Sequence, residues 1–168
     1  MPAQKLLHPS KLYSMLRACP DARARASAVL EFLVTSTAAR VGYVLLAHGG
    51  ELVLAASSDQ KELSASLMER ARALWASDQA SHSEADRTRT VDSRQLGASL
   101  VESQDWETPD GERFTPRVMG VYRDSRWIPV GISVLSADAE GTRRVRHPHI
   151  EALCNALVDS GDIGARPA

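Results

Sequence analysis

The chain has 168 residues, enough for one domain with its own core and little room for two. Apolar residues make up 43%, so no disulfide or metal staple is needed, and a net charge of −1 offers no basic field for nucleic acid or an anionic membrane. Aromatic residues at 5% argue against a platform for stacked bases, and no apolar run approaches the ~20 residues of a membrane span.

Residues 1–19 lack the continuous apolar block and cleavage site of a signal peptide, so a cytoplasmic protein is expected. The first predicted helix covers 10–19, with Ser10 as its N-cap and Leu12, Met15, Leu16 and Cys19 on one face; Pro20 ends it. A second helix runs from Asp21 to about Ala39, with Ala26, Leu30, Leu33 and Thr37 in a stripe and Val29 and Val34 beside it. Arg23 and Arg25 near its start oppose the helix dipole, so its first turns are expected to fray.

The period then changes. Residues 43–57, YVLLAHGGELVLAAS, are two apolar runs around Gly49-Gly50, the signal of a two-residue hairpin. That loop pairs His48 with Glu51, Leu46 with Val53 and Leu45 with Leu54, leaving the ribbon apolar on both faces and in need of cover on both. A long helix is expected over 59–79, with Asp59 and Glu62 as a capping-box variant and Leu63, Leu67, Ala71, Leu74 and Trp75 inward. Residues 77–116 are polar, with TPDGE at 108–112 as a turn; short strands or helical turns are expected within them.

A second hairpin follows in PRVMGVYRDSRWIPVGISVLS. A four-residue loop, Arg123 to Arg126, sets Tyr122 opposite Trp127 and avoids facing two arginines across the strands. Strict alternation puts Ile128, Val130, Ile132 and Val134 on one face and Trp127, Pro129, Gly131 and Ser133 on the other. Pro129 suggests a bulge or an edge-facing amide, and the small residues suit either close packing or a ligand. The last helix runs from Pro148 to about Ser160, with Ile150, Leu153, Cys154, Leu157 and Val158 as its stripe.

Candidate chemistry is sparse. Cys19 and Cys154 lie on apolar stripes, where cysteine acts as a small hydrophobe; if the terminal helices pack together the two become neighbours. His147-Pro148-His149 with Glu151 lacks the third and fourth ligands of a metal site and reads as a solvated helix start. His48 and Glu51 read as an exposed pair at the hairpin tip. There is no G-x-S-x-G elbow, P-loop or G-x-G-x-x-G, and the basic patches at 86–90 and 143–146 read as solvated loop charge. Trp106 either caps a pocket or anchors its loop to the core.

The order helix, hairpin, long helix, polar segment, hairpin, terminal helix resembles the GAF domain. Gly42 to Ser58 match its first hairpin and Pro116 to Leu135 its last. RWIPVGISVLS is similar to the family's G-x-x-I-G-V-L-x-L strand, and IEALCNALV to its closing helix. The resemblance implies an α+β fold, PAS-related, with a central antiparallel sheet of five or six strands and the terminal helices on one face. It covers 21–160 as the GAF-like domain and leaves 1–20 as an N-terminal helical extension; the tail GDIGARPA, 161–168, reads as disordered.

It further implies a non-catalytic sensory or regulatory role in bacterial signal transduction. The expected partners are a small-molecule ligand and a signalling protein such as a kinase or transcriptional regulator, and a homodimer is expected, with neither nucleic acid nor membrane. The ligand candidates are Trp106, Phe114, Arg117 and Tyr122, and the dimer candidates Leu12, Met15 and Leu16. The alternatives are a ligand-free interaction module and, more remotely, an enzyme like free methionine sulfoxide reductase. The departures are specific: a single asparagine, Asn155, leaves no cyclic-nucleotide signature, and neither cysteine stands where a bilin or a sulfoxide reductase needs one. Catalytic and metal residues are not assigned, and the cofactor is left open.

Overall fold

The computed structural model describes residues 8–37, 39–85, 97–102, 105–109, 111–123, 126–136 and 147–158. In chain order the elements are α1 (Pro9–Arg17), α2 (Ala22–Thr37), β1 (Gly42–His48), β2 (Glu51–Ser57), α3 (Ala65–Ala85), β3 (Gly97–Glu102), β4 (Trp106–Glu107), β5 (Arg113–Arg123), β6 (Arg126–Ser136) and α4 (His147–Val158). All strand pairs are antiparallel, in the order β2-β1-β6-β5-β3, with the two-residue β4 also on β5. The fold is therefore α+β. The expected tail at 161–168 and the basic patches at 86–90 and 143–146 fall outside the described residues.

The sheet is a layer between two apolar clusters. On one face Val44, Leu46, Met119, Val121 and Leu135 pack under α1, α2 and α4; on the other Leu45, Val118, Ile132 and Val134 pack under α3. The first hairpin has the register its sequence predicts, with Leu45 opposite Leu54, Leu46 opposite Val53 and His48 opposite Glu51. Gly49 and Gly50 both have positive φ, 59° and 84°, as a primed turn requires. A bulge at Ala55 lies beyond that prediction.

α2 carries the expected stripe, with Ala26, Val29, Leu30, Leu33 and Thr37 buried, and Asp21 caps it by accepting from the Ala24 N–H at 2.7 Å. The cap of α1 is His8, whose ring nitrogen accepts from the Ser10 N–H, so Ser10 sits inside the helix and not at its cap. α1 lies against α4, burying Leu12 and Leu16, each worth about 2 kcal/mol of transfer free energy. Arg25 does not fray its helix. It is buried, and its guanidinium donates to the carbonyls of Leu16, Arg17 and Cys19 at the C-terminal end of α1 and of Ala156 in α4. A cation there complements the dipole of the neighbouring helix and adds donors to its last carbonyls.

Three further expectations need correction. The long helix begins at Ala65, not residue 59: Ser64 caps it through the Leu67 N–H, while Asp59 accepts from the Lys61 N–H and the Ser57 hydroxyl in a separate turn with Gln60 at φ 58°. The second hairpin pairs Arg123 with Arg126, a two-residue loop; the favoured four-residue loop predicted the same Tyr122–Trp127 pairing but stopped the strands one residue early. The single-face reading of β6 fails because Met119 pairs with Gly131 and Gly120 with Pro129, leaving Val130 as an extra residue. That bulge turns Val130 to the α2–α4 face with Leu135, while Ile132 and Val134 stay under α3; Ile128 is 37% exposed.

The small residues of β6 serve close packing. Gly131 pairs with Leu46 across β1, and a Cβ on it would strike the Leu45 carbonyl oxygen, a backbone atom that cannot rotate away. Gly131→Ala is expected to destabilise the fold by about 3 kcal/mol, whereas Ala at the open turn position Gly49 costs about 1 kcal/mol through its positive φ alone. Urea unfolding of the two variants checks the ranking.

Candidate functional site

The aromatic side chains are segregated. All three tryptophans, Trp75, Trp106 and Trp127, lie on the α3 face with Tyr43, Phe114 and Tyr122; Tyr13 and Phe32 pack on the other face. Strand alternation explains this. Phe114, Val118 and Tyr122 are even-numbered residues of an unbulged β5, and Trp106 pairs with Phe114 from the neighbouring β4. Tyr122 and Trp127 meet across the hairpin with ring centroids 4.9 Å apart, and Tyr43 and Phe114 at 6.3 Å. The Trp127 ring lies over Gly120, where any Cβ would strike it.

Polar groups anchor α3 over this wall. The Trp127 indole N–H donates to Asp78 at 2.8 Å, both residues being buried, and Arg70 donates to the Glu107 carbonyl at 3.3 Å. Among the described residues the buried Trp75 indole N–H has no acceptor. Such an orphan donor costs about 1–3 kcal/mol, which native folds accept where the group has another use. At the margin, Tyr43 donates to Asp59 at 3.5 Å. Burial first, and the Asp59 charge second, hold the Tyr43 hydroxyl above its ordinary pKa. Burial alone would raise Asp59, but the hydrogen bonds from Ser57 and the Lys61 N–H hold it below the usual carboxylate value.

Of the four ligand candidates, three face α3. Trp106 and Phe114 pair at one end of β5, while Tyr122, eight residues along the same strand, stands about 27 Å away beside Trp127. Arg117 does not join them: it is buried 6% exposed on the odd-numbered side of β5, opposite Ser133, on the face covered by the terminal helices. Trp75, Asp78, Trp127 and Tyr43 belong to the same wall and were not among the candidates. Their signal was the helical stripe that put Trp75 inward and the strand parity that put Trp127 with Tyr122. Of the dimer candidates, Leu12 and Leu16 are buried inside the chain and Met15 is 51% exposed.

His149 is not solvated at its helix start. It is buried, its ring stacked on Phe32 at 5.6 Å. Cys19 and Cys154 are both free thiols, and burial pushes the Cys154 thiol up to about 12. Among the described residues no group of three His, Cys, Asp or Glu side chains is placed to hold a metal ion, and no helix is long and apolar enough to cross a membrane. No protein-family model and no curated protein matches the chain.

Two outcomes follow. Trp127→Phe is expected to cost about 2 kcal/mol by removing a buried hydrogen bond to a charged acceptor, and the Trp127→Phe, Asp78→Ala pair less than the sum of its singles, as read by a double-mutant cycle in urea. At about pH 8 an alkylating reagent modifies the partly exposed Cys19 in the native protein and reaches Cys154 only after unfolding, which mass spectrometry of the labelled peptides distinguishes.

Proposed function

We propose that this chain is a GAF-like, non-catalytic regulatory domain that binds a small molecule on the α3 face and signals to a partner such as a kinase or transcriptional regulator. The observation that carries this reading is the segregation of Trp75, Trp106, Phe114, Tyr122 and Trp127 to one sheet face, with a buried indole N–H that finds no acceptor among the described residues. An aromatic wall with one or two directed polar groups is how proteins hold flat, largely apolar ligands. The sheet order and the gathering of α1, α2 and α4 on the opposite face agree with the same reading. The ligand class it favours is planar, with a hydrogen-bond acceptor for Trp75 Nε1.

The test is a thermal-shift screen of flavins, haem-type cofactors, nucleotides and aromatic acids, followed by tryptophan fluorescence titration. A ligand at about a hundred times its Kd adds about 2.7 kcal/mol and raises the melting midpoint by several degrees. Trp75→Phe is expected to keep the fold and weaken that ligand about tenfold by removing one hydrogen bond. A screen in which nothing shifts the midpoint overturns ligand sensing and leaves the ligand-free interaction module.

A further inference from the structure

We infer that β2 and α2 together form a self-complementary interface, through which two copies of this chain pair edge to edge. β2 is an edge of the sheet: β1 holds one side, and among the described residues nothing holds the other. Proteins blunt such edges with lysine, proline or inward charge. Leu52 to Ala56 carry none of these, Val53 is 42% exposed, and the bulge at Ala55 arises in the pairing with β1. Two grooves of about 210 Å³ each run beside the strand between it and α2, one against Ala22 and Arg23, the other against Ser27, Glu31 and Thr35.

The helix above this edge supplies the choice of partner. The exposed ridge of α2 is Arg23, Ser27, Glu31 and Thr35, four residues apart and therefore in one line. Arg23 and Glu31 form no ion pair within the described chain. A two-fold axis through Ser27 lays α2 antiparallel on its copy, sets Arg23 against Glu31 of the other copy twice over, and leaves the small Ser27 at the crossing. The spacing agrees. α2 lies over β1 and β2; with strands about 4.8 Å apart, edge-to-edge pairing sets the two α2 axes about 10 Å apart, the distance at which helices pack. Antiparallel pairing of β2 with its copy obeys the same two-fold axis, so strand and helix are satisfied by one operation. A foreign peptide would fill the strand edge but not the charge pattern of the ridge.

Light scattering and sedimentation of the full chain test this, without reference to any small ligand. At about 100 µM the wild type is expected to be a dimer, weakened by salt. Arg23→Glu and Glu31→Arg each place like charges together at two symmetric sites and weaken the dimer about tenfold. The double variant restores both pairs and returns affinity to within about threefold of wild type. Val53→Lys blunts the edge and yields monomer, and Met15→Asp, on α1, changes nothing. All of these positions are exposed or half-exposed, so circular dichroism and melting midpoints are expected to stay at wild-type values. A monomeric wild type, single variants without effect, a double variant no tighter than the singles, or a dimer lost with Met15→Asp overturns the interface.

Discussion

The whole arrangement depends on one constraint: the sheet is apolar on both faces, so neither face can be left to water. Val44 and Leu46 point one way from β1, Tyr43 and Leu45 the other, and all four are buried. A sheet patterned like this is stable only as the middle of three layers. That demand explains why three helices gather on one face and the single long α3 lies across the other.

The two covers are built differently. Under the terminal helices the contacts are aliphatic and close, with Gly131 admitting the β1 backbone and Arg25 tying the end of α1 to α4. A buried guanidinium is costly unless its donors are used, and here they go to carbonyls at the ends of α1 and α4. Under α3 aromatic rings join the aliphatic contacts, held by a few directed bonds such as Trp127 to Asp78. A tight aliphatic layer has one good packing. Large flat rings with polar handles admit other contacts between them, which is the physical basis for placing recognition on that side.

The first hairpin and α2 were legible in the sequence because each rests on one local rule: paired glycines fix a two-residue turn, and a 3.6-residue period fixes a stripe. The errors fall where a tertiary term overrides the local one. Strict alternation along β6 fails at Val130, since a bulge inserts a residue that no periodicity announces; Pro129 was its one sign. Arg25 looked unfavourable because its own helix was considered, whereas its partners lie 6 to 131 residues away. Arg117 was grouped with Phe114 and Tyr122, but an odd offset in a strand sends a side chain to the opposite face. The start of α3 was misplaced because Asp59 and Ser64 both precede apolar residues, and Asp59 was already engaged by Ser57.

Strand β2 joins the two functions argued for this chain. Its alternation places Leu52 and Leu54 toward α3 and Val53 toward α2, so consecutive residues of one edge strand report to opposite layers. A strand cannot shift for one face alone. A molecule that binds the aromatic wall and favours one placement of Leu52 and Leu54 therefore also favours one placement of Val53 and of the edge beside α2. Linkage then runs in both directions: pairing of two copies along that edge alters affinity at the wall by the same factor that the ligand alters pairing. Coupling of this kind needs no moving domain. It requires only that the strand be shared, and that each binding event distinguish between two placements of it.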